Sequence, residues 1–232
     1  IWASYADIES NQMTSSVGNH EHAILSGDYN AIRNNTIVGY SSGIYCDGRW
    51  SNEITGNTIE TRNWGIYANN AQGDYLVENN TLSKYTTDGD WLMYFTNAAS
   101  VVVQNNTTEA LGGSGFYFNN TNITMNHNLI VSPGRGLEIT NQSGGEILNN
   151  TLVSTGGDYG IHISNLSTPI VRNNILQGYQ NGMYIQNDLM NTNISHNALW
   201  SILSEQYSGD AIPPLIGDLI SLDFDTTLIQ VI

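Results

Sequence analysis

The chain has 232 residues and carries 6 Lys and Arg against 21 Asp and Glu, which gives a formal net charge of −15. So acidic a chain has no basic patch for a nucleic acid, and no apolar run approaches the roughly 18 residues that a membrane-spanning helix needs. The only cysteine, Cys46, excludes an internal disulfide.

A short motif centred on asparagine recurs along the chain. Its marker residue is the second Asn of an Asn-Asn pair or a single Asn in a related turn. The eight steps from Asn11 to Asn197 span 186 residues and average about 23, a constancy that predicts a structural repeat. The nine markers are Asn11, Asn35, Asn57, Asn80, Asn106, Asn128, Asn150, Asn174 and Asn197.

Each repeat contains three short segments with an apolar pattern. An apolar residue stands three positions before every marker, and the residue two positions after it is again apolar except at Thr108. A third segment of the form Gly-apolar-X-apolar follows, as in GIYC (43–46), GIYA (65–68) and GMYI (182–185). This alternation predicts short strands with one buried face.

Strands this short are stable only when successive repeats stack and bury a continuous core. A repeat of about 23 residues leaves no room for the helix of a βαβ unit, and the Leu-dense consensus of leucine-rich repeats is absent. The pattern therefore predicts an all-β fold, a parallel β-solenoid with three sheets and about nine coils.

The turn sequences NNTI (34–37), GNTI (56–59), ENNTL (78–82), LNNTL (148–152) and RNNIL (172–176) alternate with these GIYx strands. In this respect the chain resembles the right-handed parallel β-helix repeat family, the superfamily shared with pectate lyases. The resemblance covers roughly residues 8–200. It implies the fold but not the activity, because the superfamily includes enzymes, adhesins and structural surface proteins.

The C-terminal part departs from the repeat. We predict a β-helix over residues 1–200 and an irregular segment over 201–232, which contains Pro213 and Pro214. This segment would cap the solenoid, lead into a further domain or pair with another chain. The start at Ile1 and the apolar end TLIQVI favour a segment excised from a larger polypeptide, with a complete processed protein as the alternative.

Asparagine suits tight turns because it tolerates a left-handed backbone and hydrogen-bonds locally. Stacked asparagines can also bond to each other as a ladder. A second asparagine series follows the GIYx strands, and both series are interpreted as structural. The second series is Asn70, Asn97, Asn120, Asn141, Asn165 and Asn187.

The X position of each Gly-apolar-X-apolar strand is expected to point outward and to lie about 4.8 Å from its neighbours in adjacent coils. One interpretation is aromatic packing across an exposed sheet. The other is a strip on which sugar rings stack, which the resemblance to pectate-lyase-like proteins favours. The outward series is Tyr45, Tyr67, Tyr94, Tyr117, Glu138, His162 and Tyr184, of which the five tyrosines are the candidate glycan-binding residues.

Glu138 and His162 interrupt the tyrosines as neighbours, and a carboxylate beside an imidazole can act as an acid/base pair. They are the candidate catalytic residues, with a solvated polar pair as the alternative. Lyases of the resembled superfamily generally use Lys or Arg, which are scarce here. Candidates for nearby turns are Arg135, Asp158, Asp188 and His127.

No metal site or cofactor is predicted. His20 and His22 would share one face of a strand around Glu21, but no third ligand is fixed by spacing. Acidic turns would allow Ca²⁺ through oxygen ligands, although no known calcium repeat matches. These turns contain Asp47, Asp74, Asp88 and Asp90.

Three functional hypotheses follow, ranked in this order. The first is an extracellular or cell-surface module with a structural or adhesive role and glycan contact along the tyrosine strip. The second is a polysaccharide lyase or glycoside hydrolase that uses Glu138 and His162. The third is a self-assembling surface-layer or filament subunit that associates through the solenoid ends.

Overall fold

A computed structural model of the protein describes residues 1–16, 21–48, 50–186, 193–209 and 217–221. Within these ranges the chain forms 27 β-strands and no α-helix. The strands form three parallel ladders, each of which pairs a strand with its equivalent in the next coil. The all-β parallel solenoid predicted from the repeat is confirmed.

Ladder I contains the strands that precede the asparagine turn. It forms a nine-stranded sheet of its own. Its strands are Asp7–Glu9, Ala31–Arg33, Asn52–Thr55, Asp74–Glu78, Ser100–Gln104, Asn122–Asn126, Gly144–Leu148, Thr168–Arg172 and Asn193–Ser195.

Ladder II contains the strands that follow this turn, and ladder III contains the GIYx strands. The separate strands of ladder II are Gln12–Thr14, Thr81–Lys84, Thr107–Ala110, Leu129–Val131, Thr151–Val153, Ile175–Gln177, Ala198–Trp200 and Leu219–Ser221. Those of ladder III are Trp2–Ala3, His22–Ser26, Trp91–Thr96, Ser114–Asn119, Leu137–Thr140, Tyr159–Ile163, Asn181–Ile185 and Glu205–Gly209.

Two long strands, Thr36–Cys46 and Thr58–Ala68, pass through ladder II and continue into ladder III. They join the two ladders into one sheet of 18 strands, where the sequence predicts three separate sheets. The pairing between the long strands shifts register on either side of Tyr40, next to Gly39 with a φ of +85°. A bulge therefore turns this corner while the backbone stays extended.

The core is built from columns of apolar side chains, one residue per coil. In ladder I, Ile54 pairs with Val77 and Val77 with Val103, and all three are fully buried. The column continues in register through Met125, Ile147, Val171 and Ile194. The residue three positions before each marker therefore faces the interior, as the repeat predicts.

The marker asparagines form a second, polar column inside the solenoid. From Asn35 to Asn197 each is almost completely buried. From Asn11 to Asn174, each Nδ2 donates to Oδ1 of the marker in the next coil at 2.9–3.1 Å. The same Oδ1 also accepts the backbone N–H of the preceding marker, as between Asn57 and Asn80. This asparagine ladder satisfies the buried polar groups at every turn.

The ladders continue beyond residue 200. The strand Glu205–Gly209 pairs with Asn181–Ile185 in ladder III, and Leu219–Ser221 pairs with Ala198–Trp200 in ladder II. Pro213, Pro214 and residues 222–232 lie outside the described residues. The role of the C-terminal segment as a cap or a lead-in stays a prediction.

Candidate functional site

The predicted outward series is aligned in one row of ladder III. Tyr45 pairs with Tyr67, and the row continues through Tyr94, Tyr117, Glu138 and His162 to Tyr184. The structure thus brings together all seven residues in the predicted order. His162 is buried, whereas the other six are partly buried.

The first four tyrosines stack on each other along the solenoid axis. Ring centroids are 5.0 Å apart for Tyr45 and Tyr67, 4.8 Å for Tyr67 and Tyr94, and 4.8 Å for Tyr94 and Tyr117. The interplanar angles of 18°, 6° and 8° mean that neighbouring rings cover each other's facing sides. Burial raises the pKa of Tyr45, Tyr67 and Tyr94. Ring edges and hydroxyl groups are therefore what this tyrosine column offers to a ligand.

A second outward row of aromatic side chains flanks the tyrosine column. Each of its members stands three residues before the outward position, as in NWGIY (63–67), DWLMY (90–94) and DYGIH (158–162). Trp64 lies 4.9 Å from Tyr67 and is tilted by 54°, and Trp91 lies 5.3 Å from Tyr117 and is tilted by 46°. Both indoles are tilted against the tyrosine rings and only partly buried, so they are not part of the parallel tyrosine stack.

This flanking row was not predicted, although its three-residue spacing from the outward positions indicates it. The row also contains His22, which lies 4.3 Å from the ring of Tyr45, and Tyr159, which lies 4.8 Å from the ring of Tyr184. Burial lowers the pKa of His22. The outward face of ladder III is thus a double aromatic row, interrupted in the middle by Glu138 and Arg135.

Glu138 is part of a compact ionic cluster. Its carboxylate pairs with the guanidinium of Arg135, and Nδ1 of His162 lies 3.7 Å from Glu138 Oε2. Burial on its own would raise the pKa of Glu138, but the contacts with His162 and Arg135 outweigh burial and lower it. Arg135 also lies above the ring of Tyr159, with Cζ 5.5 Å from its centroid.

The groups in this cluster are poorly suited to transfer a proton to or from a substrate. A carboxylate with a lowered pKa is ionised at neutral pH and cannot deliver a proton there. Neither ring nitrogen of His162 makes a hydrogen bond to a described residue, and both are buried from solvent. The arrangement suits a structural ion cluster better than the predicted acid/base pair.

The other candidate residues lie apart from this row or cannot be placed. His127 occupies an asparagine turn at a different corner of the coil and contacts Asn126. Asp158 is exposed beside Tyr159, and Asp188 and His20 lie outside the described residues. The described ranges contain no group of three or more His, Cys, Asp or Glu side chains that could hold a metal ion, and Ca²⁺ binding stays a prediction.

A polar groove of about 660 Å³, here called the amide groove, lies at the corner that follows ladder III. It is lined by Asn97, Asn119, Asn120, Asn141, Gln142, Asn165 and Leu166. Asn97, Asn120, Asn141 and Asn165 belong to the second asparagine series, and all four have a positive φ, as their predicted role in tight turns requires. Nδ2 of Asn119 donates to the hydroxyl of Tyr117 at 3.0 Å, so the groove adjoins the tyrosine column.

A separate groove of about 800 Å³ lies on the outer face of ladder I. Its wall contains Tyr5 and Tyr29, whose ring centroids are 5.3 Å apart, and Trp50 stacks on Tyr29 at 6.1 Å. Trp50 is 51% exposed. Trp50 is more exposed than the partly buried Trp64 and Trp91, and it does not belong to the double aromatic row.

Comparison with known proteins bears on the fold alone. The family model described as "Right handed beta helix region" matches residues 1–152 and 65–203. No curated protein and no solved structure shows a significant match to the chain. The described part of the chain contains no helix of the length and apolarity that crossing a membrane requires. The match spans well over half of the sequence, and the chain therefore belongs to the right-handed β-helix family.

Proposed function

We propose that the protein is an extracellular or cell-surface β-helix module with a structural or adhesive role, which contacts glycans along the outward face of ladder III. The observation that supports this proposal is the double aromatic row. Aromatic rings bind sugars by covering their C–H faces, while hydroxyl groups and amides at the rim bond to sugar hydroxyls. Both kinds of group lie side by side on this face.

The two rows would make different kinds of contact with a glycan. Because the tyrosine faces cover each other, the sugar rings would pack on the tilted indoles of Trp64 and Trp91. The hydroxyl groups of Tyr67, Tyr94 and Tyr117 would then bond to the sugars from beside them. A rigid parallel sheet holds these groups at fixed spacing, so little side-chain entropy is lost on binding.

A location outside the cell is consistent with the high acidity and with the tightly hydrogen-bonded solenoid. An excess of negative charge keeps a protein soluble and apart from other acidic molecules. Labelling of intact source cells with an antibody against the protein tests this part of the proposal. Signal that appears only after the cells are permeabilised would contradict it.

The binding part is tested by affinity electrophoresis and calorimetry with a panel of neutral and acidic polysaccharides. We expect the double variant Trp64→Ala/Trp91→Ala to bind at least about tenfold more weakly, since each lost stacking contact is typically worth about 1 kcal/mol. Trp50→Ala is the matched control, because it removes an exposed tryptophan from another face.

Unchanged affinity of the double variant for every glycan that the native protein binds would refute the glycan contact. Failure of the native protein to bind any member of the panel would leave only the structural role. The same panel, assayed for new reducing ends and for unsaturated products, tests the alternative of a lyase or hydrolase that uses Glu138 and His162.

A further inference from the structure

We propose that the amide groove is the hydrogen-bonding part of the binding face and that it selects neutral, hydroxyl-rich glycans. This inference rests on the proposed function and names the class of ligand. The groove adjoins the double aromatic row through one chain of contacts. Trp91 packs on Tyr117, the hydroxyl of Tyr117 accepts from Asn119, and Asn119 lines the groove.

The groove contains amide groups with unused hydrogen-bonding capacity. Asn120 donates to Asn97 at 2.9 Å, Asn141 to Asn119 at 3.1 Å and Asn165 to Thr140 at 2.9 Å. These bonds fix the three carboxamides, but each Oδ1 accepts no hydrogen bond from the described residues. Each carboxamide also keeps one further N–H, so the groove offers a row of fixed donors and acceptors.

Such a row matches the hydroxyl groups of a glycan chain. A sugar hydroxyl both donates and accepts, and an amide beside another amide can serve two neighbouring hydroxyls at once. Asn120, Asn141 and Asn165 occupy equivalent turns of successive coils, and therefore repeat at the coil spacing of about 4.8 Å. A polymer that runs along the solenoid axis would meet one amide per coil.

The charge distribution favours a neutral ligand. None of the seven lining residues is charged, so the groove has no cation to pair with a carboxylate or a sulfate group. The net charge of −15 adds a long-range repulsion against acidic glycans. A cationic ligand would likewise find no carboxylate in the groove wall.

Leu166 supplies an apolar contact in the same groove. It is 62% exposed and has a φ of +63°, a conformation that is costly for a large side chain. Costly conformations often persist at binding sites, where the exposed side chain contributes to function. An exposed leucine among amides can cover the C–H groups of a sugar ring.

The test compares groove variants with a matched turn variant. Asn120→Gly and Asn141→Gly remove carboxamides at positions where glycine tolerates the positive φ. Asn149→Gly makes the same change at an exposed asparagine turn at another corner of the coil, outside the groove. The probes are cellohexaose, mannohexaose, laminarihexaose and polygalacturonate. We expect each groove variant to bind the preferred neutral oligosaccharide about three- to tenfold more weakly. Asn149→Gly should bind like the native protein.

Leu166→Asn separates binding from stability, because asparagine relieves the left-handed backbone at position 166. We expect this variant to have an equal or higher Tm and yet a weaker affinity for the glycan.

If the groove variants bind normally while Trp64→Ala/Trp91→Ala does not, the groove inference is wrong and the proposed function stands. If only the groove variants lose binding, the aromatic contact is wrong. Equal or tighter binding of polygalacturonate would overturn the selectivity for neutral glycans.

Discussion

The two asparagines of each Asn-Asn pair have different physical roles. The first is at the surface with a positive φ, such as 55° at Asn79 and Asn105, and Gly56, His127 or His196 can take its place. The second is buried in the asparagine ladder, as at Asn80 and Asn106. All nine markers from Asn11 to Asn197 are asparagine. A tight turn needs only a residue that tolerates the left-handed region, whereas the ladder needs a donor and an acceptor in one short side chain.

At the residue scale, Glu138 predicts a pH effect on stability. Its carboxyl pKa is lowered in the folded protein by His162 and Arg135, against about 4.3 in an unfolded chain. Its contribution is therefore present above about pH 4.3 and is lost as the pH falls through the lowered folded pKa. We expect Glu138→Gln to flatten the dependence of the unfolding free energy on pH in this acidic range, measured by urea unfolding.

The control for this measurement is Glu146→Gln, which changes an exposed glutamate on ladder I. This variant should keep the native pH profile. Identical profiles for Glu138→Gln and the native protein would show that the ionic cluster adds nothing to acid stability.

At the element scale, the apolar periodicity was sufficient to predict the three ladders and the direction of their side chains. Val103 and Ile54 stand three residues before a marker, and the structure buries both. The joined ladders could not be predicted, because the bulge near Tyr40 depends on the backbone of one corner. The flanking tryptophans were also not predicted, although they stand three residues before the outward positions on the same strands. The amide groove could not be predicted, because it arises from contacts between residues of different coils.

A paired substitution on one strand of ladder I tests the register. Val103 points into the core, and its neighbour Val102 points outward. We expect Val103→Ala to reduce the unfolding free energy by about 1–3 kcal/mol through lost apolar burial and a cavity. Val102→Ala should change it by less than about 0.5 kcal/mol. Chemical denaturation measures both, and a larger effect of Val102→Ala would mean that the strand faces the other way.

At the scale of the whole molecule, the net charge of −15 makes stability depend on salt. Repulsion among the acidic side chains opposes the compact state, and salt screens it within a Debye length of about 8 Å at 0.15 M. We expect the Tm to rise by about 2–4 °C between 0.01 M and 0.15 M NaCl, which corresponds to about 1 kcal/mol for a chain of this length.

A variant with less charge provides the comparison for the salt effect. Asp47→Asn/Asp74→Asn/Asp158→Asn changes three exposed carboxylates and moves the net charge from −15 to −12. Its Tm should rise less with salt than that of the native protein. An equal rise in both proteins would assign the salt effect to something other than charge repulsion.

The asparagine ladder has a direction, and within the described residues its side-chain donors end at Asp218. Each marker passes an N–H to the next coil, and Asn197 passes its backbone N–H to Oδ1 of Asp218 at 2.7 Å. Asp218 also accepts from the hydroxyl of Tyr207. An ionised carboxylate only accepts, so the side chain of Asp218 has no proton to donate to a further coil, and its backbone N–H is the donor that remains. A second copy stacked beyond this point would meet a carboxylate oxygen where every earlier marker presents an amide nitrogen, so the side-chain bonds of the ladder could not continue into it.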